Sequence, residues 1–89
     1  MPRFRVLFTS SAEREFRSIP RQTQERFASA FELLEEIPTQ AGPGCDVRRL
    51  SGIATAWRLR VGDYRGVYAV IGQDVIFTRF GHRSTVYGR

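Results

Sequence analysis

Apolar and polar positions follow the spacing of regular secondary structure along most of the chain, starting with a strand. Residues 4–9 alternate, with a bulky apolar side chain at each even position, which predicts a half-buried β-strand. Ser10 and Glu13 then have the spacing of a capping box, so Ser10 is expected to cap a first helix. Pro20 ends or kinks that helix. One of its faces is apolar at i, i+4 and i+7: Ala12, Phe16 and Ile19.

A second helix is predicted over residues 23–36, and Pro38 stops it. Its glutamates mostly face water. Its expected buried stripe consists of Phe27, Ala30, Phe31, Leu34 and Ile37. A short turn joins the two helices, which predicts an antiparallel pair.

The second half of the chain reads as strands. Residues 39–46 form a loop rich in Gly and Pro, and residues 47–50 form a short strand or an extended approach to one. Further strands are predicted at residues 56–61, 64–71 and 75–80. At 89 residues, the whole chain (1–89) is expected to be a single domain with one modest core.

A two-residue turn at Gly62-Asp63 would place three arginines on one face of a hairpin. Position 61 then pairs with 64, 60 with 65 and 58 with 67, so Arg60 lies directly across from Arg65 and shares its face with Arg58. Like charges opposed on a sheet cost about 0.2–1 kcal/mol. The arrangement makes most sense if a polyanion binds there, and RNA is the natural candidate. The aromatic side, where Trp57 meets Tyr68, is expected to pack on the helices.

The position of Arg79 depends on the second turn. A three-residue turn pairs residue 79 with 67 and places Arg79 beside the row of Arg65. A two-residue turn pairs it with 66 and buries it. The first is favoured, because an unpaired buried guanidinium is costly.

The net charge of +5 lies entirely in the second half of the chain, because residues 1–40 carry six arginines and six acidic residues. This distribution is expected if that half binds phosphate, although a merely soluble basic surface is the plain alternative. All basic side chains are arginine, for which a GC-rich genome is an equally available cause. Cys45 is the only cysteine and His82 the only histidine, so the chain predicts no disulfide, no metal site and no cofactor. No membrane span or secretory signal is present in the sequence, which predicts a cytoplasmic protein and no membrane partner.

His82 is the one side chain of the type that changes charge near neutral pH. Cleavage of RNA by its own 2′-hydroxyl needs a base, an acid and positive charge on the transition state. His82 is a candidate acid or base, the arginines candidate stabilisers, and Tyr87 a second proton-transfer or stacking group. A surface histidine that bonds within a turn is an even alternative for His82.

Four short motifs stand in the second half of the chain. These are Leu50-Ser51-Gly52 before the hairpin, Arg58-x-Arg60, Gly62-Asp63-Tyr64-Arg65, and the terminal Gly81-His82-Arg83 with Val86-Tyr87. In these motifs and in the order of its elements, the chain resembles the RelE/ParE toxin superfamily, and specifically its RelE-like mRNA interferases. The resemblance covers essentially the whole chain. It implies an α+β fold in which a mainly antiparallel, four-stranded sheet carries two N-terminal helices on one face, in the order β-α-α-β-β-β.

The resemblance also implies a type II toxin that cleaves mRNA in the ribosomal A site without metal, leaving a cyclic phosphate and a 5′-hydroxyl. The implied partners are a cognate antitoxin and mRNA, with operator DNA reached only through the antitoxin. The positions that match the catalytic residues of the family are Arg58, Arg60, Arg65, Arg83 and Tyr87. His82, adjacent to Arg83, completes the predicted catalytic set.

One departure from the family concerns the hairpin pair, where well-studied relatives have lysine. Arginine does not release its proton, so Arg58 and Arg60 suit clamping of a transition state, and proton transfer falls to His82 or Tyr87. The main alternative function is that of a ParE-like, non-nucleolytic inhibitor of DNA gyrase. A third is a degenerate toxin retained as an autorepressor on DNA together with its antitoxin.

Overall fold

The computed structural model describes residues 3–50 and 55–86. Its elements in chain order are β1 (Arg5–Phe8), α1 (Ser10–Arg17), α2 (Arg21–Leu34), β2 (Asp46–Arg49), β3 (Ala56–Val61), β4 (Tyr64–Ile71), β5 (Asp74–His82) and α3 (Arg83–Val86). The strands form one sheet in the order β1-β5-β4-β3-β2, in which β1 is parallel to β5 and every other pairing is antiparallel. None of the helices in these ranges has the length and apolar composition of a membrane span.

The predicted α+β class is confirmed, but the described residues form a sheet of five strands rather than four. Residues 46–49 pair along β3 as a full edge strand. Only Val47 of β2 is buried, where it lies opposite Leu59, while its neighbours are exposed. A strand with a single inward side chain carries too little apolar alternation to be distinguished from a loop.

Thr9 rather than Ser10 caps the first helix. The Thr9 hydroxyl accepts a hydrogen bond of 3.1 Å from the backbone N–H of Ala12, and Ser10 is the first helical residue. The helix ends at Arg17, so Pro20 lies immediately before α2 instead of terminating α1.

The second helix begins and ends two residues earlier than predicted. Phe27, Ala30 and Leu34 are buried, as expected of its apolar stripe. Ile37 lies three residues beyond the end of the helix and is 51% exposed, so its predicted burial is wrong. The helical periodicity could not hold at a position where the helix had already ended.

The first hairpin has the predicted register. Val61 pairs with Tyr64, Arg60 with Arg65 and Arg58 with Val67. Gly62 occupies the turn with a φ of 61°, a left-handed conformation that glycine adopts without steric cost.

A β-bulge decides the position of Arg79. The second turn has two residues, because Ile71 pairs with Asp74, yet Arg79 still lies opposite Val67. The register shifts between Val67 and Tyr68, and Thr78 is the extra residue. The favoured exposed position of Arg79 is confirmed, but the bulge and not a three-residue turn produces it.

The core lies between the two long helices and one face of the sheet. Leu59 and Tyr68 are fully buried there, as predicted for the aromatic side of the first hairpin, and Phe77 of β5 is buried with them. The hydroxyl of Tyr68 donates a hydrogen bond of 2.6 Å to the carbonyl of Pro38. This bond anchors the chain after α2 to the middle of the sheet. The arginines project from the opposite face of the sheet.

Candidate nucleic-acid interface

The sheet face that points away from the helices carries a row of arginines on three neighbouring strands. Arg48 of β2 lies opposite Arg58 of β3, and Arg60 lies opposite Arg65 of β4. Side chains at paired positions share a face, so all four project to the same side. The structure therefore brings together the three predicted hairpin arginines and adds Arg48.

These arginines line a cleft of about 330 Å³, which we call the arginine cleft. It is formed by Asp46, Arg48, Leu50, Arg58, Arg60 and Arg65. Four guanidinium groups and one carboxylate leave an excess of three positive charges. Guanidinium groups donate paired hydrogen bonds to phosphate oxygens, so the cleft is suited to a phosphodiester.

Asp46 bridges two of the arginines. One carboxylate oxygen lies 3.6 Å from Nη1 of Arg58, and the other lies 3.2 Å from Nε of Arg60. Arg58 is only 8% exposed, whereas the side chain of Asp46 is 49% exposed. The carboxylate supplies the nearly buried Arg58 with a counter-charge, and its two oxygens span the guanidinium groups as two phosphate oxygens would.

Arg65 is half-buried on the returning strand. Its Nη1 donates a long hydrogen bond of 3.4 Å to the carbonyl of Gly62, in the turn of the same hairpin. This contact bends the side chain towards the end of the sheet at which β5 terminates.

His82 lies near the arginine cleft but on a different face. It pairs with Tyr64, and alternation along β4 places both on the helix side of the sheet, one residue beyond the pair formed by Arg65 and Gly81. The two rings lie 5.5 Å apart in an edge-on arrangement. The exposed imidazole thus stands at the same end of the sheet as Arg65, without joining the row of arginines.

The imidazole of His82 is oriented by Ser84. The backbone N–H of Ser84 donates to Nδ1 at 3.2 Å, and its hydroxyl lies 3.0 Å from the same nitrogen. Because Nδ1 accepts a hydrogen bond, the neutral ring carries its proton on Nε2. The hydrogen bond within a turn that the sequence left open for His82 is therefore present.

The end of β5 is tied to the first hairpin. The backbone N–H of Arg83 donates a hydrogen bond of 2.7 Å to the carbonyl of Asp63, and the side chain of Arg83 is exposed. Tyr87, the remaining predicted site residue, lies outside the described residues, as do Ser51 and Gly52 of the motif before the hairpin.

Sequence reasoning missed Asp46 and Arg48 as parts of the cleft. Their signal was the Asp-x-Arg spacing, which places both on one face of a strand, but that strand was only weakly predicted. Asp46 also acts on its neighbour: burial chiefly, and then the negative charge of Asp46, raise the pKa of the Cys45 thiol. Burial likewise raises the pKa of Tyr68, which has a structural role in the core.

Known proteins share this sequence pattern and this fold. The family model described as the ParE toxin of type II toxin–antitoxin systems, parDE, matches residues 6–87. A curated relative, Toxin RelE3 of Methanocaldococcus jannaschii, is 26% identical over 83 residues, which make up 93% of this chain and 94% of that protein.

Solved structures of toxin–antitoxin complexes contain chains of the same fold. In the RelE–RelB complex of Pyrococcus horikoshii OT3, the similarity has a TM-score of 0.78 at 25% identity and covers 94% of this chain and 99% of the other. In the RelBE2 complex of Mycobacterium tuberculosis, the TM-score is 0.73 at 25% identity, with 93% and 100% covered. The likeness therefore extends over nearly the full length of both partners in each comparison.

Proposed function

Because this chain belongs to the ParE toxin family of type II toxin–antitoxin systems, within the RelE/ParE superfamily, we propose that it is a ribosome-dependent endoribonuclease that cleaves mRNA in the A site. The observation that carries the proposal is the arginine cleft, where Arg58, Arg60 and Arg65 converge on the open face of the sheet. A sheet surface with this density of guanidinium groups adds nothing to the packing of the hydrophobic core, and it is suited to binding a phosphate backbone.

The proposed reaction uses the 2′-hydroxyl of the RNA as its nucleophile. The 2′-oxygen forms a bond to the adjacent phosphorus, and the bond from phosphorus to the 5′-oxygen of the next nucleotide breaks. The products are a 2′,3′-cyclic phosphate and a free 5′-hydroxyl. A base takes the proton of the 2′-hydroxyl, and an acid supplies one to the leaving oxygen. Arg58, Arg60 and Arg65 stabilise the negative charge that builds up on the phosphate oxygens, so the reaction needs no metal ion.

Proton transfer is assigned to His82 and Tyr87, because arginine stays protonated at any working pH. Ser84 occupies Nδ1 of His82, so the ring would exchange a proton with the RNA through Nε2. Its position at the end of the sheet requires the RNA to pass from the arginine cleft around the end of β5. Arg83, the next residue, is placed to hold the backbone there.

The proposed partner of this toxin is a cognate antitoxin. The similar chains from Pyrococcus horikoshii OT3 and Mycobacterium tuberculosis were crystallised as toxin–antitoxin complexes. An antitoxin segment that covers the arginine cleft would exclude RNA by blocking access to it. Contact with operator DNA is proposed to run only through the antitoxin.

Substitution of two arginines tests the proposal. Arg65→Ala and Arg83→Ala are each expected to abolish growth arrest after induction while leaving antitoxin binding largely intact. Arg14→Ala is the matched control, because it removes one exposed arginine from α1, remote from the sheet face. Primer extension on translated mRNA should show discrete cuts within codons for the unaltered toxin and the control, and none for the two variants. Toxicity that persists in both variants rejects the assignment.

Inhibition of DNA gyrase without RNA cleavage is the second candidate function. Two observations favour it. The matching family model is that of ParE toxins, and His82 lies on a different face of the sheet from the arginines. The same induction experiment separates the two functions. Intact mRNA together with stalled replication supports gyrase inhibition, whereas cut mRNA with continuing replication supports the endoribonuclease.

A further inference from the structure

We propose that a second phosphate of the same RNA strand binds beside Arg26, in a cleft that adjoins the arginine cleft. This inference rests on the proposed function, because it extends the path of the RNA backbone away from the scissile phosphate. The second cleft has a volume of about 410 Å³ and lies between α2, the loop before β2 and the first hairpin.

The two clefts share a wall. Arg60 and Asp46 line both of them, while Arg26, Ser29, Gly44 and Gly62 line only the second. A strand whose scissile phosphate lies against Arg58 and Arg65 therefore passes Arg60 at the boundary and enters the second cleft with its neighbouring nucleotide.

Arg26 is available to bind an anion. Among the described residues it has neither an ion pair nor a hydrogen bond, whereas Arg17 is paired with Glu13 and Arg5 with Asp74. It is exposed on α2, and its guanidinium group lies against the first hairpin: a Cβ built on Gly62 would be 3.5 Å from its Nη1. The cation is thus held over the turn with its donors uncommitted.

The chemistry of the second cleft selects a phosphodiester. Arg26 and Arg60 provide two guanidinium groups against the single carboxylate of Asp46. Ser29 lies on the same wall as Arg26, where its hydroxyl donates a long hydrogen bond of 3.4 Å to the carbonyl of Glu25. Gly44 and Gly62 lack side chains, so a sugar–phosphate backbone can approach the main chain closely. Composition gave no sign of this site, because the charges of residues 1–40 cancel.

Binding of short, uncleavable RNA analogues tests the inference. The probes are 2′-O-methyl oligoribonucleotides, a dinucleotide with one phosphodiester and a tetranucleotide with three, and the dissociation constant is measured by titration at several low salt concentrations. Arg26→Ala should weaken tetranucleotide binding by roughly three- to tenfold and reduce the slope of log affinity against log salt by about 0.7. It should leave dinucleotide binding unchanged within about twofold.

Arg21→Ala is the matched control, because it removes an exposed arginine that has no ion pair within the described part of the chain, from the start of the same helix and outside both clefts. If Arg26→Ala and Arg21→Ala have equal effects, the second phosphate site is overturned. Equal weakening of both probes by Arg26→Ala, or no tetranucleotide binding by the unaltered protein, also overturns it. Arg58→Ala and Arg65→Ala in the same assay report on the arginine cleft itself. If they lose no affinity, the proposed function fails whatever the outcome for Arg26.

Discussion

Replacing Asp46 by asparagine is expected to tighten RNA binding. In the free protein the carboxylate lies between Arg58 and Arg60, at 3.6 and 3.2 Å, where a phosphate would bind. Asparagine has nearly the same shape but no charge, so Asp46→Asn removes the repulsion between this carboxylate and an incoming phosphate. It also frees the guanidinium groups from a competing anion.

The size of this effect follows from Coulomb's law. A phosphate on the same guanidinium groups would lie roughly 5 Å from the carboxylate, where two unit charges repel by about 1–3 kcal/mol at effective dielectric constants of about 80 to 20. Asp46 is 49% exposed, so the lower end applies. We expect an affinity gain of roughly three- to tenfold, converted at about 1.4 kcal/mol per factor of ten. The same change should lower the free energy of unfolding by about 1–2 kcal/mol, because the nearly buried Arg58 loses its counter-charge.

Titration with uncleavable RNA and urea denaturation measure the two effects. Asp74→Asn is the matched control: Asp74 lies on the same sheet face and binds Arg5 at 2.9 Å, but at the opposite side of the sheet and outside the arginine cleft. It should change RNA affinity by less than about twofold through the net charge alone. If Asp46→Asn binds RNA no better than Asp74→Asn, the carboxylate orders the arginines instead of competing with the phosphate, and the reasoning is refuted.

Three further predictions concern the core. Gly66→Ala should lower the free energy of unfolding by about 1–3 kcal/mol, because the new Cβ would lie 2.7 Å from a ring carbon of Phe80. In the same urea titration Gly42→Ala should change the free energy of unfolding little, because its Cβ would meet nothing within 4 Å. The free energy of unfolding should fall as pH rises above 9.0, because the pKa values of Cys45 and Tyr68 are raised in the folded state and the unfolded chain releases these protons first. Tyr68→Phe should remove the part of this loss that begins near pH 10.0. An identical decline in that variant would contradict the assignment. Cys45 should react with a thiol reagent only as fast as the protein opens, so an immediate reaction in the native protein would count against its burial at 4% exposure.

Local pairing in the first hairpin could be predicted residue by residue. A Gly-Asp turn between two strands leaves one plausible register, so the row formed by Arg58, Arg60 and Arg65 followed from counting. The apolar faces of both helices were predictable for the same reason, because the spacing of side chains within one element needs no knowledge of its neighbours.

Contacts between distant segments could not be predicted in this way. Asp46 meets Arg60 only because β2 pairs with β3, and no turn pattern between these strands specifies their register. The bulge at Val67 and Tyr68 is a further example: nothing local marks it, yet it decides the face on which Arg79 lies. Both features depend on how the sheet packs as a whole.

Under the proposed function, different parts of the site bind the RNA and cleave it. The described lining of the arginine cleft has a single group able to exchange a proton, Asp46, and that group is already held by two arginines. In the proposed reaction the proton-transfer group therefore comes from outside the cleft, and His82 at the end of β5 is the first candidate, because the bond from Arg83 to Asp63 fixes it relative to the hairpin. His82→Ala should then keep the RNA affinity of the unaltered protein within about twofold and still lose cleavage, whereas Arg65→Ala should lose both. Cleavage that continues at the normal rate in His82→Ala would move the proton transfer to Tyr87.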